Sequence, residues 1–418
     1  MNILLLSYQI SPTRGSEYGV GWNFAINLSR DHNVFVLCGA SGDHMGDTDE
    51  IREYAENNTN TNLHIIPVRP SRLTKLVNWP NRAGILPWIF YFAIKLWNRS
   101  ALKEATDIVN EYEIDIIHQL TPIGFREPGY LWQLDKPFVW GPIGGAHFVH
   151  TALLKPFPIR FKLFYLLKNA ATFLQLNFQR RSRKAAKKAS SLIFAYSDAA
   201  EKFLKYYNKS GTVISEVGTS YFEFEATKNK TKKQYIKFVW SGRICVGKSL
   251  YFLFDALIRI KDDQSWRLEI IGDGPLKKKM TKLSVKRGLS DRITWHGKKS
   301  RDEAVEIMNG SDLHLFTSIS EATSTVVMEA ISLGVPTISL NHCGMHDVLG
   351  NGNGILVPIT TYKDSVDQYA ANLRILLHDR KKLENLRNKT LKIREDYLWQ
   401  KKIEQVVAIY RNILDQKL

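Results

Sequence analysis

Short apolar runs alternate with longer segments of helical periodicity along the whole chain. In the first half, the runs that predict buried strands lie at 3–7, 34–38, 63–68, 115–120, 137–140 and 192–196. In the second half, the same kind of run recurs at 236–241, 268–271, 293–295, 313–316, 337–340 and 355–357. Strands that alternate with helices form parallel sheets covered on both faces, so the pattern predicts an α/β fold.

The length of the chain and one polar segment predict how the domains are arranged. A chain of 418 residues is too long for one compact core, so two domains are expected. The segment 227–234 is polar, charged and without periodicity, and it is the predicted linker. It separates an N-terminal domain at 1–226 from a second domain at 235–396, and residues 397–418 are predicted to form one final helix.

Composition narrows the class of protein. With 44% hydrophobic and 24% charged residues, the chain is typical of globular proteins. No apolar segment reaches the roughly 18–20 residues needed to span a bilayer, and the N-terminus lacks the basic start of a signal peptide. Three cysteines, Cys38, Cys245 and Cys343, without regular spacing favour reduced, buried thiols in a cytoplasmic protein.

The positive charge is concentrated in two segments. The formal net charge is +17, and residues 57–103 contain seven Lys or Arg, no acidic residue and many aromatic residues. Residues 151–190 contain ten Lys or Arg and again no acid, with apolar residues at helical spacing in 157–167. Both segments predict basic amphipathic surfaces that contact anionic lipid headgroups. An ordinary lysine-covered surface and nucleic-acid binding remain alternatives, although no nucleic-acid motif accompanies the charge.

Two glutamates flank a predicted strand-to-helix junction. Glu321 falls in the loop before the helix, and Glu329 falls near its second turn. Thr323 or Ser324 is predicted to cap the helix, and the free N–H groups at its start suit a phosphate or a polyol. Taken alone, the two glutamates could equally be solvated carboxylates at a helix start.

A second candidate site follows the strand at 236–241. The sequence SGRICVGKS at 241–249 places Arg243 and Lys248 each directly after a glycine, at a strand-to-helix turn. Arginine binds phosphate oxygens in fork geometry and lysine acts as a point charge, so this turn is predicted to hold a pyrophosphate. Two unrelated surface cations are the alternative.

Three weaker signals lie at other predicted strand ends. The sequence RGSEYGVG at 14–21 lets the backbone approach a ligand, but it does not fit the dinucleotide fingerprint and could be only a tight turn. The sequence GDGP at 272–275 is a tight turn in any fold. His118, which ends the strand at 115–120, could contact a sugar hydroxyl or be a core histidine. His147 and His150 receive no predicted role.

Taken in order, these motifs resemble the retaining nucleotide-sugar glycosyltransferases called glycosyl transferases group 1, or glycosyltransferase family 4. The Glu-x7-Glu signature of that family matches Glu321 and Glu329. The resemblance is strongest over 236–345 and looser over 1–150. It implies the GT-B fold: two facing Rossmann-like domains with a cleft between them, a donor held mainly by the second domain, and a final helix that returns to the first.

The resemblance also implies roles for single residues. Arg243 and Lys248 would hold the leaving diphosphate, Glu321 would orient sugar hydroxyls, and His118 would contact the donor sugar. The positions expected to bind the donor are Gly15, Ser16, Gly242, Gly272, Thr323, Ser324, Thr325, Val326 and Glu329. Of these, Glu329 would bind the ribose of the donor. Two departures, ATST after Glu321 and Ser249 where glycine is usual, leave the identity of the donor open.

The predicted activity is transfer of a sugar from a nucleoside diphosphate sugar to a hydroxyl of a saccharide or lipid-linked saccharide, with retained configuration. The resemblance implies a role in bacterial cell-surface polysaccharide or lipopolysaccharide synthesis, at the inner face of the membrane. No metal and no cofactor are expected, since no Asp-x-Asp ends a strand. A catalytically silent partner subunit and a basic Rossmann-type nucleic-acid binder are the alternatives.

Overall fold

The computed structural model describes residues 1–40, 49–57, 60–220 and 235–416, which form two compact units. The first unit comprises Met1–Ala146, Leu174–Glu216 and Trp399–Leu418, and the second comprises His147–Phe173 and Val217–Leu398. The predicted linker at 227–234 lies outside the described residues.

Strands and helices alternate from the N-terminus to residue 213. The elements are β1 (Asn2–Ser7), α1 (Glu17–Leu28), β2 (Asn33–Gly39), α2 (Asp49–Asn57), β3 (Leu63–Val68), α3 (Arg72–Arg82), α4 (Phe90–Glu111), β4 (Ile116–Thr121), β5 (Phe138–Ile143), α5 (Ile159–Phe178), α6 (Arg180–Lys188), β6 (Ser191–Phe194), α7 (Ser197–Tyr207) and β7 (Thr212–Val213).

The first unit contains a parallel sheet with the strand order β3-β2-β1-β4-β5-β6-β7. This order is that of a doubly wound sheet: successive strands are added toward one edge from β1 to β3 and toward the other edge from β4 onward. The central β1 reads NILLLS, and its residues Ile3 to Leu6 are completely buried. Such an uninterrupted apolar run is what a strand covered on both faces requires.

The same alternation continues in the second half. The elements are β8 (Ile236–Ser241), α8 (Leu250–Ile258), β9 (Trp266–Ile271), α9 (Lys277–Lys286), β10 (Ile293–Gly297), α10 (Arg301–Asn309), β11 (Leu313–Phe316), α11 (Thr325–Ser332), β12 (Thr337–Leu340), α12 (Met345–Leu349), β13 (Gly354–Val357), α13 (Tyr362–His378), α14 (Arg380–Ile393) and α15 (Trp399–Asp415).

The second unit contains a parallel sheet with the order β10-β9-β8-β11-β12-β13. Here the strand order reverses between β8 and β11, which are parallel neighbours. Ligand-binding loops are therefore expected at the carboxyl ends of these two strands. Phe238 of β8 stacks on Trp266 of β9, with ring centroids 6.1 Å apart. Both side chains belong to the hydrophobic core of this unit.

All twelve predicted strands are present, each within three residues of its predicted bounds. The two-residue β7 was not predicted, because two residues carry no periodicity. The final helix begins at Trp399 and packs on α1 in the first unit, where Trp399 contacts Phe24 with ring centroids 5.9 Å apart.

Two stretches of the predicted N-terminal domain at 1–226 are grouped with the second unit: His147–Phe173 and the residues from Val217 onward. Residues His147–Phe173 belong to the second unit, because Leu153, Phe157 and Tyr165 are buried in its core. Phe157 meets Tyr251 of α8 with ring centroids 5.8 Å apart. Since both sequence halves have the same alternating pattern, only these contacts reveal where the stretch packs.

The three cysteines are not joined in disulfides. Cys38 and Cys343 are buried, Cys245 is half-buried, and all three are free thiols. Burial raises the pKa of Cys38 to about 12, so its thiol stays protonated. Among the described helices, none combines the length and the apolar composition that crossing a bilayer requires.

Candidate active site at the carboxyl edge of the second sheet

Two glycines bring the ends of β8 and β9 into backbone contact. Gly242 and Gly272 follow these strands with φ values of +151° and +132°. A Cβ added to Gly272 would lie only 2.0 Å from the Gly242 carbonyl oxygen. The Gly242 N–H also donates to the Ile271 carbonyl at 3.0 Å. The floor of the candidate site therefore depends on glycine at position 272.

The side chains of Lys248 and Glu321 form an ion pair, with the ammonium of Lys248 donating to the Glu321 carboxylate. The same carboxylate oxygen accepts from Ser318 Oγ at 3.0 Å, and Lys248 Nζ lies 5.6 Å from the Phe316 ring centroid. Both charged side chains remain partly exposed, at 22% and 26%. Two residues 73 positions apart are thus joined within reach of solvent.

Arg243 lies in the same loop as Lys248. Its side chain is exposed and has no hydrogen-bond or ion-pair partner among the described residues. The Lys248 side chain runs alongside Gly242, since a Cβ there would lie 3.9 Å from Lys248 Cδ. One loop therefore presents an unpaired guanidinium and an ammonium, the arrangement that suits a diphosphate.

Ser249 explains how the loop turns into α8. Its φ is +47°, in the left-handed region that normally favours glycine, and its side chain is buried. The resembled family usually has glycine at this position, so the serine adopts the conformation that a glycine would.

The loop before α11 carries Glu321 and places Ser324 at the N-cap position. Contrary to the prediction for Ser324, its side chain accepts no hydrogen bond from the first turn of the helix. The loop is held instead by the backbone: the Gly344 N–H donates to the Ala322 carbonyl at 2.9 Å. The first amide groups of α11, at Thr325 and Val326, thus remain available to a ligand.

Glu329 lies on α11 and pairs with Arg301, whose Nε is 3.1 Å from Glu329 Oε1. The glutamate side chain is 14% exposed and the arginine side chain 60%. Burial raises the pKa of Glu329, while the guanidinium of Arg301 opposes that rise. Arg301 was not predicted, although it is the first residue of α10 and lies within the Ser300–Glu303 capping box.

A polar group supports the Glu321 loop from residues 147–173. Ser320 Oγ bonds to His147 Nε2 at 2.7 Å and accepts from Lys168 Nζ at 3.3 Å. No role was predicted for His147, because Ser320 is 173 positions away along the chain. His147 and Lys168 are therefore positioning residues of the second unit.

In the first unit, Gly15 and Ser16 precede α1. Ser16 has a φ of +61° and a side chain that makes no cap bond, and a Cβ on Gly15 would meet nothing within 4 Å. The neighbouring Glu17 accepts the Ile123 N–H at 3.2 Å, and burial raises its pKa. Local packing thus does not require glycine at position 15, and the predicted ligand contact there stays a prediction.

His118 has the surroundings of a core histidine, one of the two alternatives that the sequence leaves open, and the contact with a donor sugar predicted for it stays a prediction. The side chain is fully buried, and Nε2 lies 2.7 Å from the Gly141 carbonyl, while Nδ1 meets the Tyr410 hydroxyl of α15. A carbonyl oxygen only accepts, so Nε2 carries the proton and Nδ1 accepts from the tyrosine. Both ring nitrogens are satisfied internally.

The buried His118 predicts acid sensitivity. Burial lowers its pKa to about 4, so the folded chain takes up this proton only well below the ordinary value near 6.5. Stability linked to His118 is therefore complete above about pH 6.5 and is lost as the pH falls toward 4, by about 1.4 kcal/mol per pH unit. We expect the urea midpoint to fall between pH 7 and pH 5, and to fall less in His118→Gln. An equal fall in both proteins would contradict the assignment.

Ten of the thirteen predicted site positions belong to the second unit, and Gly15, Ser16 and His118 belong to the first. Contacts join Gly242 to Gly272 and Lys248 to Glu321, whereas Glu329 makes a separate pair with Arg301. Within the described residues, no group of three or more His, Cys, Asp or Glu side chains could hold a metal ion.

Comparisons with known proteins bear on the family and the fold of the chain. Residues 222–393 match the family described as glycosyl transferases group 1. Sulfoquinovosyl transferase SQD2 of Arabidopsis thaliana is 30% identical over 158 residues, which are 38% of this chain and 30% of that protein. The chain spans about a third of the length of the curated relatives it matches first.

Solved structures match over the full length. The lipopolysaccharide outer core galactosyltransferase WaaB, in its apo form, has a TM-score of 0.66 and 17% identity, covering 100% of both chains. Anabaena Alr3699/HepE, in complex with UDP, has a TM-score of 0.60 and 14% identity, covering 99% of this chain and 100% of the other. These likenesses, with the two parallel sheets, show that the fold is of the GT-B type.

Proposed function

We propose that this chain, whose residues 222–393 match the glycosyl transferases group 1, moves a sugar from a nucleoside diphosphate sugar to an acceptor hydroxyl with retention of configuration. The observation that carries the proposal is the loop in which Arg243 and Lys248 follow β8, with Lys248 paired to Glu321. The structure of HepE, which has a similar fold, contains UDP, and this supports a nucleotide-sugar donor.

The proposed mechanism stabilises charge on the leaving group. As the glycosidic bond breaks, negative charge grows on the diphosphate, and cations already aimed at it lower the barrier. Arg243 would bind two phosphate oxygens in fork geometry, and Lys248 would supply a point charge. Glu321, held by Lys248 and Ser318, would accept hydrogen bonds from sugar hydroxyls. In the resembled family, the proton of the acceptor is thought to pass to the leaving phosphate.

Glu329 would hold the ribose of the donor. Its carboxylate must be ionised to accept hydrogen bonds from two hydroxyls, but burial favours the protonated form. Arg301 opposes this effect and leaves the second carboxylate oxygen, Oε2, for the ligand. Arg301 thus keeps the Glu329 carboxylate ready to accept hydrogen bonds from the ribose before the nucleotide sugar binds.

We expect Arg301→Ala to weaken nucleoside diphosphate binding roughly three- to tenfold at neutral pH, the equivalent of about 1 kcal/mol. The loss should grow as the pH decreases, because the pKa of Glu329 rises further without its cation. Titration calorimetry between pH 6 and pH 8 measures both effects, with Arg301→Lys as the charge-preserving control. Equal affinities for wild type and Arg301→Ala at every pH would contradict the role of this pair.

The proposed acceptor is a saccharide or lipid-linked saccharide of the bacterial cell surface, used at the inner face of the cytoplasmic membrane. WaaB, which has a similar fold, is a lipopolysaccharide outer core galactosyltransferase. In the first unit, α3 and α4 expose Leu76, Trp79 and Tyr91 within the acid-free segment 57–103. Exposed aromatic residues among cations favour contact with anionic headgroups.

A panel of UDP-, GDP-, ADP- and dTDP-sugars tests the proposed activity. We expect one donor to raise the melting temperature and to release its nucleoside diphosphate slowly by hydrolysis in the absence of an acceptor. Binding without release, even when saccharide acceptors are added, would favour a catalytically silent partner. Neither binding nor release, together with higher fluorescence anisotropy of mixed oligonucleotides, would favour a nucleic-acid binder.

A further inference from the structure

The part of α5 from Ile159 to Phe173 exposes an unusually apolar face. Six large hydrophobic side chains there are between 47% and 78% exposed: Ile159, Leu163, Phe164, Leu166, Leu167 and Phe173. The opposite side of the helix is anchored, since Tyr165 and Thr172 are buried. We name these six exposed residues the α5 apolar face.

The surrounding charge indicates what covers the α5 apolar face. Residues 151–190 contain ten Lys or Arg and no acid, in a chain of net charge +17. A second copy of the chain would bring the same cations together and be repelled. An anionic bilayer offers hydrocarbon for the apolar side chains and phosphates for Arg160 and Lys162, which lie on the same helix.

The anchored side of α5 contacts the two loops of the candidate site. Lys168 Nζ donates to Ser320 Oγ at 3.3 Å, directly beside Glu321. The Tyr165 hydroxyl abuts the other loop, because a Cβ added to Gly247 would lie 3.2 Å from it. One helix thus has an exposed apolar face on one side and the Lys248 and Glu321 loops on the other.

Asn169 fixes this helix in place. Its amide side chain accepts the Val149 N–H at 2.9 Å and donates to the Val149 carbonyl at 2.8 Å, so both groups of the amide are bonded to one residue. These two bonds tie the helix to the backbone at Val149.

We infer that the α5 apolar face is a docking surface for an anionic lipid bilayer, and that docking orders the loops that carry Lys248 and Glu321. The inference deepens the proposed function, on which its meaning for catalysis rests. It assigns a membrane partner to the donor-binding unit itself, in addition to the α3 and α4 surface of the first unit.

The experiment uses the full chain with vesicles of phosphatidylcholine alone or mixed with phosphatidylglycerol. The test variant is Leu163→Ser with Leu167→Ser. The matched control is Leu204→Ser with Ile375→Ser, which removes two comparably exposed side chains on α7 and α13. Co-sedimentation measures binding, and hydrogen–deuterium exchange follows residues 242–249 and 318–324. Circular dichroism melting checks that each variant is folded.

We expect the wild type and the control to bind the phosphatidylglycerol vesicles. The test variant should bind them at least about tenfold more weakly. Vesicles should slow exchange in both loops of the wild type but not of the test variant. Equal binding by a folded test variant would overturn the docking surface, as would a dimer formed through it in light scattering. Binding without slower exchange would overturn the coupling. Neither readout needs a nucleotide, so failure of the donor panel would count against the proposed function alone.

Discussion

Arg243→Ala and Lys248→Ala are each expected to lower kcat/KM about a hundred- to thousandfold, the equivalent of about 3–4 kcal/mol of transition-state stabilisation. The loss is large because these cations act on charge that develops as the bond to the diphosphate breaks. A kcat that falls together with kcat/KM would show that the interaction belongs to the transition state, whereas a rise in KM alone would indicate uniform binding.

Lys248→Ala should have a second consequence that Arg243→Ala lacks. Without the ammonium, Glu321 loses its ion pair and keeps only the bond from Ser318. Lys261→Ala is the matched control, because this exposed lysine lies beyond the opposite end of α8. Wild-type rates from both Arg243→Ala and Lys248→Ala would refute the assignment of this loop.

Gly272→Ala is expected to destabilise the second unit by at least about 3 kcal/mol. The new Cβ would lie 2.0 Å from the Gly242 carbonyl oxygen, and the three nearest atoms all belong to the Gly242 backbone, which cannot rotate away. The φ of +132° adds strain for any residue with a side chain. The ends of β8 and β9 would have to separate, which disturbs the loop that carries Arg243.

Gly288→Ala is the matched control for this substitution. Gly288 also has a positive φ, +66°, but a Cβ there would meet nothing within 4 Å. It should therefore cost only about 1–2 kcal/mol of backbone strain. Urea unfolding followed by tryptophan fluorescence compares the two variants, and equal midpoints would show that the close approach at Gly272 contributes nothing.

The strands and the loops after them were predictable from local sequence. An apolar run such as NILLLS in β1 specifies a buried strand without reference to the rest of the chain. Gly242, Arg243 and Lys248 occupy the predicted loop between β8 and α8, and the binding of a diphosphate there stays a prediction. The pairing of Lys248 with Glu321 follows once β8 and β11 are neighbours in the sheet, because parallel strands end at the same edge.

Features that depend on distant packing were not predictable. The sequence left His118 open as a site residue or a core residue. Its contact with the Tyr410 hydroxyl joins residues 292 positions apart, which no local pattern predicts. Residues 147–173 join the second unit through contacts such as Phe157 with Tyr251, which no periodicity encodes. The pairing of Arg301 with Glu329 depends on the packing of α10 against α11.

A double-mutant cycle on Arg243 and Lys248 tests most directly whether both cations act on one departing diphosphate. The rates of nucleoside diphosphate release are compared for the wild type, the two alanine variants and the double variant, with the donor that the panel identifies. Two groups that stabilise the same charge are not independent, so the double variant should lose much less than the product of the two single losses. Losses that multiply, or single variants as fast as the wild type, would contradict the account.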